Sequence, residues 1–351
     1  MLRRLFLPML SGILLLSGCQ FRPAEKPSGG SCRYARWFEL LDSAVILISP
    51  YDGHRDTVST REAAGRIVCF STSYVACLSA IGAHEAAVGV SGVRFTSDTL
   101  VRKRAKEVGY EGAPDYETIL GLSPDLVLSY RVSAAVPAYV TKMRDLGLPV
   151  LLLCEHLEAH PLARAEYVRL FGALTHRRAA ADSLFAAIET RYLALADRVA
   201  RARAAAPEGF TRRVLVNIPY NDLWYVPGGD NYLSQLARDA GGEIAGARAG
   251  SAESRVMGLE EAYALSQTAD AWLHPGWCRT RAQLRDIHPL FAAFPVLGKA
   301  VYNNTLRTTP EGGNDFWESG VVWADRVLED WVTMLHPEVA AAPLHYYLSV
   351  E

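Results

Sequence analysis

Apolar residues return every three or four positions from Ala181 to Val199, through Phe185, Ile188, Tyr192 and Leu195. That spacing places them on one face of an α-helix. The stretch 176–206 holds neither Gly nor Pro, so it predicts one rod of about 30 residues, roughly 45 Å long at ~1.5 Å per residue. Gly172 and Thr175 separate it from a preceding helix over 163–171, with Thr175 as N-cap of the rod. A coiled coil is the competing reading, but the stripe covers only about four heptads and lacks opposed flanking charges.

On both sides of the rod the pattern changes to short apolar runs separated by helical segments. Before it, 33–41 and 45–49 read as a hairpin, and 66–71, 88–90, 125–129 and 149–154 as strands. Helices follow the first of these strands up to Ile81 and cover 117–122 and 136–146. After the rod, 213–218 and 271–273 read as strands, and 224–226 leads into the turn Pro227-Gly228-Gly229. A helix over 231–240 stops at Gly241-Gly242, and 316–335 is largely helical. Strands alternating with helices predict parallel sheets covered by helices. The expected fold is α/β, with two Rossmann-like lobes, each built on a parallel sheet, joined by one long backbone α-helix.

The N-terminus has a different pattern. Arg3 and Arg4 precede an apolar run over 5–16, too short to span a bilayer, and Leu16-Ser17-Gly18-Cys19 has the form of a bacterial lipobox. The competing reading is a buried N-terminal helix with a chance cysteine. A lipoprotein signal peptide is expected over 1–18, with Cys19 lipidated and 19–32 a flexible tether. The first lobe then runs over 33–160 with its hairpin at 33–49, and a helical linker containing the rod over 161–207. The second lobe covers 208–338, and 339–351 form a tail. A body outside the cytoplasm follows, held at a membrane or cell surface by its lipid.

Composition narrows the chemistry. A formal charge of −2 offers no basic field for nucleic acid. Without Cys19 five cysteines remain, an odd number, and no Cys-x-x-Cys occurs. Buried thiols explain Cys69, Cys77 and Cys154 better than a zinc site does. His156-Leu157-Glu158-Ala159-His160 has its glutamate in the wrong place for a zinc-binding helix, and Pro161 follows at once. Gly228-Gly229 and Gly312-Gly313 lack the partners of a phosphate loop, and no nucleophile elbow occurs. An enzyme is not expected, and neither a resident cofactor nor a protein metal site is assigned.

Glu117, followed by Leu122-Ser123 and Asp125 before a buried strand, is echoed by Glu260, followed by Leu265-Ser266 and Asp270 before another. With Tyr116-Glu117-Thr118-Ile119-Leu120, Ser123-Pro124-Asp125-Leu126-Val127-Leu128, Val226-Pro227-Gly228-Gly229-Asp230-Asn231-Tyr232-Leu233 and the segment from Gly312 to Glu338, the chain resembles the helical-backbone class of periplasmic substrate-binding proteins. These serve ABC importers of iron–siderophores, haem and cobalamin. The likeness covers about 66–338. Trp323-Ala324-Asp325 and Gln267-Thr268-Ala269-Asp270 depart from the family pattern, and the N-terminal hairpin lies outside it.

The resemblance implies a monomer that captures an iron–siderophore, haem or cobalamin between its lobes and delivers it to an inner-membrane ABC permease. It implies that Glu117 and Glu260 dock arginines of the permease; ordinary first-turn carboxylates, or Glu261 as the second contact, stay open. Open α/β sheets bind ligands at the carboxyl ends of their strands. That rule nominates Thr72, Tyr74, Arg94, Tyr130, Arg131 and Glu155 on the first wall. Tyr220, Trp224, Trp277, Arg279, Asn303, Asn304 and Arg307 form the second. Aromatic faces would cover a flat chelate and arginines would answer its anionic groups. Core or rim positions are the alternative for each, and a two-lobed protein binding bare metal ions is the alternative for the whole.

Overall fold

In the computed structural model the rod is one helix, Arg178–Ala205, of 28 residues. The structure describes residues 32–351; the expected signal segment, Cys19 and the tether before residue 32 lie outside the described residues. Ala181, Phe185, Ile188, Tyr192, Leu195 and Val199 are its buried side chains, joined by Glu189. Thr175 does not cap it. That residue instead closes the helix Tyr167–Leu174, its hydroxyl donating to the Phe171 carbonyl at 2.8 Å. His176 then takes a φ of +55°, which turns the chain into the rod.

Each lobe is built on a five-stranded sheet. The first has the spatial order Val150–Leu153, Leu126–Tyr130, Ile67–Cys69, Ala87–Val90 and Lys106–Glu107, all parallel. In the second, Gly242–Ile244, Arg212–Val216, Ala271–Leu273 and Ala300–Asn303 are parallel. Leu348–Ser349 adds an antiparallel edge, so residues read as a tail belong to the sheet. The central strands are buried on both faces, as parallel sheets under helices require. The segment expected to be helical over 316–335 is two helices, Asp315–Glu318 and Ala324–Leu335, with a 3₁₀ turn Ser319–Val321 between them.

The sequence echo has a structural meaning. The Asp125 carboxylate accepts the backbone N–H groups of Gly65 and Arg66 at 2.8 Å each, and its own N–H donates to the Arg66 carbonyl. Asp270 does the same to Arg213, accepting its N–H at 2.8 Å and donating to its carbonyl at 2.7 Å. Each aspartate thus stitches the start of one central strand to the start of its neighbour.

The N-terminal hairpin is a three-stranded antiparallel meander, Phe38–Leu40, Ala44–Ile48 and Arg55–Ser59; the third strand was not foreseen. The residues entering it are held by buried carboxylates. Glu166 accepts the N–H groups of Arg33, Tyr34 and Ala35 at 2.7–2.8 Å, and Glu158 those of Arg36 and Trp37. Glu189 of the rod takes the Arg33 guanidinium and the Tyr34 hydroxyl. Five consecutive amides that no strand pairs are therefore satisfied by side chains.

The lobes also meet away from the rod. Glu318 of the second lobe accepts from the Thr96 hydroxyl (2.5 Å) and the Ser97 N–H (2.7 Å) of the first. Beside it Gly313 lies so close to the Phe95 carbonyl that a Cβ could not be placed there. Burial pushes the Glu318 carboxyl from 4.5 up to about 7, and nearby Asp315 adds to the rise against the two hydrogen bonds. Folding therefore favours its protonated form: this contribution is fully present below about pH 4.5 and is lost as pH climbs through 7, on the order of 3 kcal/mol. In denaturant melts, the stability of Glu318→Gln relative to the parent should rise by up to that amount between pH 4.5 and 8. A pH-independent difference would contradict it.

Candidate functional site

Residues that follow strands of both sheets meet at the seam between the lobes: Phe95, Thr96 and Ser97, after Ala87–Val90, touch Gly313 and Glu318, and His274, after Ala271–Leu273, packs on Phe316 and Trp317. On the first wall Ser71 caps the helix Thr72–Ala80, leaving Thr72 half-buried at its start. Arg94 is exposed, its guanidinium 4.6 Å from the Phe95 ring centre. Tyr130 is half-buried and meets the His156 ring edge-on at 6.3 Å. On the second wall Tyr220 is 71% and Trp277 65% exposed, and Arg279 is exposed beside Trp277.

Several nominated residues do other work. Trp224 is 0% exposed: on the strand Trp224–Val226 alternate residues face inward, and its indole packs on Trp272, Phe291 and Phe294 while Nε1 donates to the Val216 carbonyl at 2.7 Å. It belongs to the second lobe's core. Tyr74 is buried against Phe171, its hydroxyl 3.3 Å from both the Ser129 carbonyl and Glu155. Glu155 is buried too, and desolvation pushes its carboxyl up. Arg131 is buried because its guanidinium serves the loop, donating to the carbonyls of Ser133 and Ala134 and pairing with Asp52 at 3.3 Å. The buried amide of Asn303 donates to the Gly276 and Cys278 carbonyls at 2.7 and 2.8 Å, so it positions the Trp277 loop and is itself out of reach. Its neighbour Asn304 is buried as well. Arg307 lies 2.9 Å from an Asp315 oxygen, out of line for a hydrogen bond, and its charge is answered there.

Other residues come together that the sequence reading passed over. Arg164, Tyr232, Leu236, Phe316, Trp317 and Val321 line a cavity of about 30 Å³ in the seam, room for water but not for a chelate. The Arg164 guanidinium lies 4.2 Å from the Tyr232 ring centre. Trp317 is 48% exposed and stands edge-on to Phe316 at 4.7 Å. His274, at the end of Ala271–Leu273 with a φ of +60°, packs on Phe316, Trp317 and Tyr347. Burial holds it neutral, its value down at about 3. The aromatic doublet Phe316-Trp317 after the Gly312-Gly313-Asn314 turn was the available signal. The lobes are closed on one another along this line.

A larger cavity, about 240 Å³, lies elsewhere, between the N-terminal meander and the edge strand Val150–Leu153; Leu47, Asp52, His54, Arg131, Leu152 and Cys154 line it. Among the described residues no group of three or more His, Cys, Asp or Glu side chains converges to hold a metal ion. Cys69, Cys77, Cys154 and Cys278 are buried free thiols, and burial pushes Cys69 up to about 12.

Two sheets presenting strand ends to a seam, spanned by one rigid helix, have counterparts among known proteins. The family described as periplasmic binding protein matches residues 67–295. The chain belongs to that family. Its members bind solutes for transport, and this periplasmic binding protein is accordingly not an enzyme. It is 23% identical over 303 residues to an uncharacterized lipoprotein of Methanocaldococcus jannaschii, covering 81% of this chain and 68% of that one. A periplasmic haem-binding protein from Pseudomonas aeruginosa superposes with a TM-score of 0.61 at 19% identity, over 82% of this chain and 98% of its own. A periplasmic vitamin B12 binding protein of Vibrio cholerae gives 0.56 at 15% identity, over 78% and 96%. Both likenesses show the two-lobed fold with its long helix.

The two tryptophans nominated for the second wall should behave oppositely in this binding protein. Trp224→Ala removes a fully buried indole and should cost about 3–5 kcal/mol of stability. Trp277→Ala should stay within about 0.5 kcal/mol of the parent. Chemical denaturation of both variants checks the assignment.

Proposed function

We propose that this protein is the substrate-binding lipoprotein of an ABC importer, capturing an iron chelate (siderophore or haem) or cobalamin between its lobes and presenting it to the permease. The observation that carries this reading is the seam itself. The linker helix Pro161–Ala165 there faces the aromatic side chains Phe316, Trp317 and Tyr232, suited to the face of a large flat ligand, and His274 at the end of a second-lobe strand packs on the first two. The haem- and vitamin B12-binding character of the structural neighbours supports the ligand class. Trp317, Trp277, Tyr220, Arg94 and Arg279 are the exposed side chains offered to such a ligand, and Thr72 and Tyr130 are half-buried.

Docking rests on the two echo glutamates. Glu117 lies exposed in the first turn of the helix Tyr116–Gly121, and Glu260 exposed in the first turn of Leu259–Ser266. Glu261 is bound to Arg255 at 2.6 Å, which leaves Glu260 as the open carboxylate of its pair. Two carboxylates carried at corresponding places on two rigid lobes suit a pair of guanidinium groups at fixed spacing. Anchoring through Cys19 outside the cytoplasm is part of the proposal, supported by the lipoprotein relative. Among the described residues no helix is long and apolar enough to cross a membrane.

Titration of tryptophan fluorescence with haemin, ferric siderophores and cobalamin should give a saturable change at micromolar ligand for at least one of them. The change should shrink in Trp317→Phe. Absence of any saturable response would overturn the ligand class. Charge reversal at Glu117 and Glu260 together should abolish uptake by cells while leaving ligand affinity within about twofold; normal uptake by the double variant refutes the docking pair.

A further inference from the structure

The arginines nominated for the cleft are occupied or lie on its rim: Arg131 by carbonyls, Arg307 by Asp315, Arg94 on the Phe95 ring, and Arg279 exposed. Arg164 differs from all of them. It projects from the short helix Pro161–Ala165 into the seam cavity, where its neighbours are Tyr232, Leu236, Phe316, Trp317 and Val321. Its Nε is buried with no acceptor, and among the described residues its guanidinium makes no ion pair or side-chain hydrogen bond. Among the described residues the Tyr232 ring is the one aromatic face its guanidinium stacks on. Buried Glu155 feels its charge but bonds to Tyr74 instead, and His156, also within its field, is neutral, held down at about 4.

A guanidinium donor buried without an acceptor costs stability, because its lost hydration is not replaced. A site that tolerates such a group in the empty protein is prepared for an acceptor that arrives later. We propose that Arg164 is the anion-recognition residue of the cleft, and that the transported ligand is a flat or bulky apolar chelate bearing a carboxylate or phosphate oxygen. Tyr232 and Trp317 cover the body of that ligand while the planar fork of Arg164 takes the anion. Opening of the seam is needed first, since the cavity between the closed lobes holds only about 30 Å³. The assignment rests on the binding-protein reading and sharpens it: a ligand without an anionic oxygen would be a poor substrate.

The test compares paired ligands on the whole protein: haemin against haemin dimethyl ester, and ferric citrate against a neutral ferric trihydroxamate. The parent should bind the acidic member of a pair at least about tenfold more tightly, the usual worth of one charge-assisted hydrogen bond. Arg164→Met, which keeps the apolar stem, should lose that preference, and Arg164→Lys should keep part of it. Unliganded Arg164→Met should melt at or up to a few degrees above the parent, since an unanswered donor has gone. An unchanged preference in Arg164→Met, or neutral ligands bound as well as acidic ones by the parent, overturns the assignment. So does a melting temperature several degrees lower, which would make Arg164 a structural counter-charge for Glu155. If the parent binds none of these ligands, the chelate reading is what fails; the melting comparison, which needs no ligand, then decides for Arg164 if the variant melts at or above the parent and against it if lower.

Discussion

Twenty-eight residues of uninterrupted helix set the geometry on which everything else depends. At ~1.5 Å per residue the rod is about 42 Å long, and bending it would break hydrogen bonds that close every turn. One face is buried by six apolar side chains, so the lobes cannot slide along it without exposing them. The relative motion compatible with an intact rod is a rotation about its ends. A stiff strut also fixes the distance between surface groups on the two lobes, and only under that condition could a glutamate on each act as one recognition feature.

The second constraint is the contact across the seam. Glu318 reaches from the second lobe to Thr96 and Ser97 of the first, and Gly313 allows backbone to approach backbone at Phe95. A carboxyl with a raised value in a cleft is elsewhere a reason to suspect acid–base chemistry. Here its geometry argues otherwise. Both oxygens of Glu318 are engaged by the opposite lobe, and Glu155 is engaged by Tyr74. These acids hold parts of the structure together, and perturbed titration follows from burial.

Much of the architecture was legible because it is periodic. The rod's buried face is the stripe read from spacing alone, and the aspartates of the internal echo perform one task in both lobes. The site was far less legible. Trp224 and Trp317 are both tryptophans near strand ends or turns, yet strand alternation sends the first into the core while the second stands half-exposed on a short helix. Arg131 and Asn303 lie where a ligand would be expected, but loop carbonyls consume their donors, a demand with no trace in spacing. The meander's third strand, Arg55–Ser59, is mostly polar, and Leu348–Ser349 is too short for a pattern, so neither announced itself.

Arg164 shows the same limit from the other side. In sequence it is one arginine in an alanine-rich linker, unremarkable beside Arg94 or Arg307. Its distinction is relational: the cavity it lines is otherwise aromatic and apolar, and Glu155, whose carboxyl feels its charge, bonds to Tyr74. A preformed apolar wall beside an unanswered guanidinium lowers the ordering needed when ligand arrives, since neither rod nor wall must be built at that moment. The same arrangement leaves the empty protein less stable than it could be, and a binding protein whose specificity lies in one buried donor has to carry that cost between ligands.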